Sequence, residues 1–427
     1  MLLENKEGTR AGDECIEGIQ TINAGLQIMS FDKVISFDNL YNGLQKSQRG
    51  VTWKDSVAGY SINGLKNTYR LRQEILEGRY RISKYQRFTI NEPKKREILA
   101  TRIKDRQFQR SLCDNSIYED VTKRFIRDNC ACQRGRGPCD AINRLKRHLR
   151  KYYRRNGNLG YVLQCDVKSF FPSTSHKVAC DVLTKYISDN RCSKHACDVI
   201  KSFIEPLVLD VLEKHNIRNA GMVAHKITMG YVYKDKTDIT LPKTAISDLK
   251  KLFDSDIKGV GLGSQVSQLT ELAVLNSLDH FIKEKLHIKE DVRYMDDFVL
   301  IDKDKEYLRH CLLEIEKFLE KINLKLNPKT TIRKLSQGVN FLKWRFILTD
   351  SGKIVIRKDK RCIIKQRRKM RALKRKLEAG EISIEDVRNN FRCWQAGIKK
   401  NGCHNLIMKM RKYYYELFEE GAPRWKK

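Results

Sequence analysis

The stretch VRYMDDFVLI (Val292 to Ile301) places two aspartates, Asp296 and Asp297, between apolar and aromatic residues. An exposed Asp-Asp pair is ordinary turn chemistry. Here Val292, Tyr294 and Met295 lead in and Phe298, Val299, Leu300 and Ile301 lead out, so the pair sits in a β-prone, hydrophobic hairpin. A third acid, Asp166, closes the strand expected over Tyr161 to Asp166 in LGYVLQCDVKSFFPS. Carboxylates gathered this way repel one another unless a cation lies between them. Mg²⁺ suits the site, because it takes carboxylates together with substrate phosphate oxygens. Two such ions about 3.5–4 Å apart stabilise the attacking and leaving oxygens of an in-line phosphoryl displacement.

The bulk composition points the same way. The chain has 427 residues, 41% hydrophobic and 9% aromatic, enough for two or three packed units around a real core. It carries 85 Lys and Arg against 52 Asp and Glu, a formal charge of +33. A chain this basic belongs on a polyanion, usually nucleic acid. Acids driven together inside such a chain read as nucleotidyl transfer. No stretch reaches about 18 apolar residues, which excludes a transmembrane helix. The N-terminal MLLENKEGTRAGDE lacks the long apolar region of a signal peptide. The 13 cysteines are then expected to be reduced. Cys130, Cys132 and Cys139, and Cys192, His195 and Cys197, superficially resemble ligand sets, but neither has two CxxC halves at zinc-finger spacing.

Along the chain, residues 37–81 read as polar-basic helices with Leu40, Leu44, Leu65, Leu71 and Ile75 as core positions. A strand from Arg87 to Ile90, a turn over 91–94 and a strand from Arg96 to Ala100 follow, then a helix. CACQRGRGPCDAINRL is a basic glycine-rich turn opening a helix near Cys139, with Arg134 and Arg136 placed for phosphate. HACDVIKSFIEPLVLDVLEKH reads as helical and KITMGYVYKDKTDITLP as a hairpin. GVGLGSQVSQLTELAVLNSLDHFIKEKL reads as a glycine loop running into one long helix, and 305–322 as another helix. LNPKTT is a turn and GVNFLKWRF a short strand. From Arg357 to Lys376, 12 of 20 residues are basic in a mostly helical pattern, and like charges at this density repel without a polyanion. A last helical region spans about 384–418, with Phe391, Trp394, Ile398 and Leu406 on its apolar side.

These segments together resemble the reverse transcriptases. YMDD at 294–297 is similar to their C motif, CDVKSFFPS to motif A, and GVGLGSQVSQ at 259–268 to the prokaryotic form of motif B. LNPKTT resembles motif D, NFLKW at 340–344 the primer-grip motif E, and RFTINEPKKREILATRIKDRQFQ with CACQRGRGPCDAINRL the two finger motifs. FDNLYNGLQKSQRGVTW and FRCWQAGIKKNGCHNLIMKMRKYYY resemble the N-terminal element and thumb end of the diversity-generating and defence-associated bacterial enzymes, relatives of the group II intron and retron enzymes. The likeness runs from about residue 37 to 418, and this set of motifs in order is far more specific than YMDD alone.

The resemblance implies an α+β right-hand polymerase: an N-terminal helical extension over 1–60, fingers over 61–160, a palm over 161–345 with an insertion near 200–258, and a helical thumb over 346–427. It implies that Asp166, Val167, Asp296 and Asp297 form the metal set, holding two Mg²⁺ ions, with Mn²⁺ as a substitute. Asp166 and Asp296 would hold both ions, and Asp297 would support them. Lys329 would give a proton to pyrophosphate. Lys95 and Arg96 would grip the triphosphate, with Lys94 a solvated neighbour. Phe171 would exclude a ribose 2′-OH, with Phe170 the core residue of that pair. Gly263, Ser267 and Gln268 would shape the template and nucleotide floor. Phe341 and Trp344 would seat the primer end, with core packing the competing role for both. Leu262 stands where retroviral enzymes carry Gln, which removes a fidelity contact. With no RNase H-like stretch or endonuclease finger after the thumb, a complete intron mobility protein is not expected.

The expected function is RNA-directed DNA synthesis in the bacterial cytoplasm, copying a structured noncoding RNA into cDNA from dNTPs in antiphage defence, with a homo-oligomer left open and no membrane partner. The alternatives are a diversity-generating enzyme, an untemplated or protein-primed DNA polymerase, and an RNA-binding scaffold with a dead palm. Intact Asp166, Asp296 and Asp297 argue against the scaffold.

Overall fold

The computed structural model describes residues 30–91 and 95–418. The expectations for residues 1–29, for the 92–94 tip with Lys94, and for 419–427 lie outside the described residues. The chain divides into two compact units, one of residues up to 124 together with 174–274, the other of 125–173 together with the rest from 275. Helices and antiparallel sheets segregate as in the α+β class expected of a right-hand polymerase.

In the first unit, helix Phe37–Ser47 begins at Ser36, whose hydroxyl accepts the Asn39 N–H at 3.3 Å. It lies so close to helix Ile103–Leu112 that a Cβ on Gly43 would meet the Gln107 carbonyl oxygen at 2.5 Å. Helix Gly64–Leu76 buries Gly64, Thr68, Leu71 and Ile75. That stripe leaves Leu65, an expected core residue, 59% exposed: it sits one position, and so about 100°, off the buried face. Strands β1 (Gln86–Ile90) and β2 (Arg96–Ala100) pair as an antiparallel hairpin.

Three helices, Glu205–Lys214, Ala220–Tyr233 and Lys243–Asp254, gather around Ile204, Val208, Leu212, Ala224, Leu249 and Ile257. The hairpin expected over 226–242 is not formed: the chain is helical to Tyr233 and irregular up to Pro242. Ala224, Thr228, Met229 and Val232 recur at helical spacing and are buried, and that packing overrides the β-propensity of ITMGYVY. The single long helix expected after the glycine loop is two helices, Gln265–Val274 and Asn276–Glu284.

The second unit is built on a four-stranded antiparallel sheet in the order β4-β5-β3-β6, with β3 Tyr161–Asp166, β4 Glu290–Tyr294, β5 Asp297–Asp302 and β6 Thr331–Lys334. Its central strands are apolar on both faces, as a sheet covered on both sides must be. Val162, Val299 and Ile301 pack with Ile142, Leu145 and Leu149 of helix Pro138–Asn156. Leu163, Cys165, Phe298 and Leu300 face the other way. A second sheet, β7-β8-β9 (Val339–Phe341, Trp344–Leu348 and Ile354–Lys358), follows. GVNFLKWRF is therefore two strands, reversed at Leu342 and Lys343, both with positive φ (49° and 65°). Helix Lys360–Glu378 starts later than the basic run suggests, because Arg357 and Lys358 belong to β9 and the Asp359 carboxylate caps the helix by accepting the Arg361 N–H at 2.7 Å. It packs with helices Ile384–Lys399 and His404–Phe418 around Met370, Val387, Phe391, Met410 and Tyr414.

Candidate active site

Register brings the acids together. Asp166, the last residue of β3, lies directly opposite Asp297, the first of β5, on one face of the sheet. Tyr294 pairs with Asp297 across the β4–β5 hairpin, which leaves Met295 and Asp296 as its two-residue turn. Met295 has a φ of +59°, a left-handed conformation that most L side chains avoid. The Val167 N–H donates to the Asp296 carbonyl at 3.2 Å, joining the end of β3 to the turn. Val167 is buried and has only a backbone carbonyl to offer a cation.

Like charges placed directly opposite each other destabilise a strand pair. The Asp297 carboxyl shows the strain: burial, then the charges of Asp166 and Asp296, push its pKa up to about 7, against a partial offset from the Leu342 backbone N–H. Asp166 is held from the other side. The Asn327 side-chain amide donates to its Oδ2 at 2.9 Å, and the Asn327 N–H donates to its carbonyl at 2.7 Å. Among the described residues, no group of three or more His, Cys, Asp or Glu side chains is placed to hold a metal ion by itself. The arrangement is an open acidic shelf, which suits a hard cation that keeps waters and shares phosphate oxygens with a substrate.

The other expected residues of this unit differ in exposure and in what they touch. Phe170 is buried and Phe171 half-buried, with ring centroids 6.0 Å apart in an edge-to-face contact. Phe341 and Trp344 are buried, 1% and 5% exposed, in the apolar cluster behind the second sheet, and Lys358 Nζ lies 4.0 Å from the Trp344 ring centre. What these two rings present outward is the Leu342–Lys343 turn between them. Lys329 is exposed on the turn after Asn327, whose Oδ1 accepts the Lys329 N–H at 3.1 Å. Arg134 is exposed, and Arg136 donates to the Asn129 carbonyl at 3.1 Å.

In the first unit, Lys95 and Arg96 are exposed at the start of β2. Gly263 has a φ of +117°, open only to glycine without strain, and a Cβ there would come within 3.6 Å of the Leu99 carbonyl oxygen of β2. Its loop thus runs along the strand that carries Arg96. Ser267 is fully buried with no hydrogen-bond partner for its hydroxyl among the described residues, whereas Gln268 is exposed.

Three residues escaped the sequence reading. Asn327 lies inside the noted LNPKTT turn. Arg293 lies inside the opening stretch, and Asp279 lies on the preceding helix. Arg293 could have been suspected, because a charge at an inward strand position demands a buried partner.

No protein-family model and no curated protein matches the chain. Among solved structures it is similar to apo telomerase from Candida tropicalis, at 12% identity over 69% of this chain and 53% of that one, with a TM-score of 0.38. It is similar to that telomerase truncated from its C-terminal domain, at 10% identity over 69% and 60%, with a TM-score of 0.38. Telomerase from Candida albicans in complex with a TWJ fragment of telomeric RNA matches at 12% identity over 80% and 60%, with a TM-score of 0.39. The chain spans 53–60% of the length of these telomerase chains.

Proposed function

We propose that the protein is a reverse-transcriptase-type nucleotidyltransferase that extends a 3′ end with dNTPs on an RNA template. The observation that supports this reading is that Asp166 and Asp297 face each other across β3 and β5 with Asp296 in the adjoining turn, and that burial, then the charges of Asp166 and Asp296, push Asp297 up to about 7. Asp166, Asp296 and the Val167 carbonyl are the groups that would hold Mg²⁺, with Asp297 supporting them. Bound there, Mg²⁺ supplies charge stabilisation for the attacking and leaving oxygens. Asn327 keeps the Asp166 carboxylate turned to the shelf. Lys95 and Arg96 supply cations for the triphosphate, and Lys329 a proton donor for the leaving pyrophosphate. The basic face of helix Lys360–Glu378 supplies phosphate contacts to a duplex backbone, which makes binding steeply salt-dependent. The bacterial antiphage role rests on the motif resemblance alone.

The test is the Asp296→Ala, Asp297→Ala double variant. It is expected to lose Mg²⁺-dependent dNTP incorporation by about a thousandfold or more while keeping its fold. Retained synthesis would remove the polymerase reading. Sugar selection gives a second test. Bases are read alike in ribo- and deoxyribonucleotides, so only the 2′-OH separates them. Phe171→Val is expected to admit rNTPs, narrowing discrimination roughly tenfold to a hundredfold. Phe170→Val is expected instead to cost ~1–3 kcal/mol of stability. Incorporation of rNTPs by the Phe170 variant alone would reverse the two assignments.

A further inference from the structure

The turn that carries Asp296 is braced from the opposite face of its sheet. Arg293 sits on β4, 2% exposed, paired in register with Phe298 and so pointing away from the face that bears Asp166 and Asp297. Its Nε and Nη2 each donate to one oxygen of the Asp279 carboxylate, both at 2.6 Å. Its Nη1 donates to the Met295 carbonyl at 2.9 Å. Asp279 is 1% exposed on helix Asn276–Glu284, which is anchored by buried Leu278 and Ile282. The Arg293 backbone is also fixed: its N–H donates to the Asp128 carbonyl at 2.9 Å, and its carbonyl accepts the Cys130 N–H at 3.0 Å.

Met295 is the residue in the left-handed conformation, immediately before Asp296. The direction of its carbonyl sets the plane of the Met295–Asp296 peptide, and hence where the Asp296 side chain begins. A planar guanidinium can hold a carboxylate with two donors and still aim a third at a neighbouring carbonyl. An ion pair that merely filled the core would not need that third bond.

We propose that Arg293, locked by Asp279, is the positioning residue of the catalytic turn, setting the aim of the Asp296 carboxylate and so the cation affinity of the shelf. This rests on the metal-ion reading above. Groups that orient metal ligands from behind cost roughly tenfold to a hundredfold in metal affinity or activity when removed.

The simple variant Arg293→Ala strands a buried carboxylate and invites unfolding, so two others are used on the full chain. Asp279→Leu with Arg293→Met replaces the pair by apolar side chains of similar size. Arg293→Lys keeps a cation for Asp279 but loses the planar fork. Mn²⁺ binding is followed by electron paramagnetic resonance, alongside melting curves and primer extension. Each variant is expected to fold and to keep its KM for dNTP, while its Mn²⁺ dissociation constant rises and kcat falls, each by roughly tenfold to a hundredfold. Wild-type Mn²⁺ affinity in either folded variant overturns the inference and leaves the polymerase reading standing. If the wild type binds no more Mn²⁺ than Asp166→Asn with Asp296→Asn, the metal-ion reading itself fails, and this inference with it.

Discussion

Hairpin β1–β2 of the first unit and hairpin β4–β5 of the second are of similar length, and each carries charged residues singled out by the motif resemblance, yet they are held in opposite ways. Every residue of β1 is exposed, and only Leu99 of β2 is buried. Four of the five residues of β4 and four of the six of β5 are buried. The first hairpin presents Lys95 and Arg96 to water, with Phe88 and Ile90 exposed beside them at 44% and 42%. The second drives Asp296 and Asp297 against a core and answers with Arg293 and Asp279 behind. Cations that grip a mobile triphosphate need reach, and solvent screens their mutual repulsion. Carboxylates that fix a cation need aim, which only a packed support can give.

The comparison predicts different responses to pH. The folded Asp297 carboxyl, raised to about 7 by burial and then by Asp166 and Asp296, holds its proton where an unfolded one near 3.9 has lost it. The folded state therefore binds more protons between about pH 4 and pH 7, and cation-free stability falls as pH rises through that window. The ceiling is about 4 kcal/mol. Asp297→Asn should melt above the wild type at pH 8, converge with it near pH 4, and lose its advantage when Mg²⁺ is added. A pH-independent gap between the two would mean the strain does not arise from charge.

The hairpins should also divide the kinetics. Lys95→Ala with Arg96→Ala removes two exposed cations at the start of β2, which under the proposed function make charge-assisted contacts to phosphate. The expected result is a KM for dNTP raised about tenfold or more with kcat nearly kept, and melting unchanged, in contrast to the loss of kcat expected from the acids. An unchanged KM takes both residues out of the nucleotide site.

How much of this was legible follows from where the partners lie in the chain. Strand β3 ends at Asp166 as its composition indicates, and a hairpin around Asp296 and Asp297 follows from the apolar flanks, although its turn is Met295 and Asp296 while Asp297 already belongs to β5. The support behind it was hidden, because Asp279 meets Arg293 across a helix-to-sheet contact that no local pattern encodes. Asn327 was hidden inside a turn whose residues all suit turns. The Ala220–Tyr233 helix was misread because β-branched and aromatic residues are ambiguous until something packs on them. Leu65 was misassigned because the buried stripe of its helix includes a glycine and a threonine, which carry no hydrophobic signal.

The smallest expected effect lies on the exposed hairpin itself. The Arg87 guanidinium binds the Glu97 carboxylate diagonally across β1 and β2, with Nη2 to Oε2 at 3.0 Å, and also reaches Asp210 at 3.1 Å. Both side chains of the cross-strand pair are about two-fifths exposed, at 40% and 43%. An ion pair this wet gains little from Coulomb attraction and holds two long side chains in one geometry, so measured pairs of this kind contribute about 0.2–1 kcal/mol. Glu97→Gln should therefore cost less than about 1 kcal/mol in chemical denaturation. The difference should shrink further in about 1 M salt, where the screening length falls to about 3 Å. Arg87 also keeps Asp210 as a second acceptor, which softens the loss. A cost of several kcal/mol that survives high salt would show that the hairpin is held as rigidly as the acidic one, and the contrast between a hairpin that reaches and a hairpin that aims would collapse.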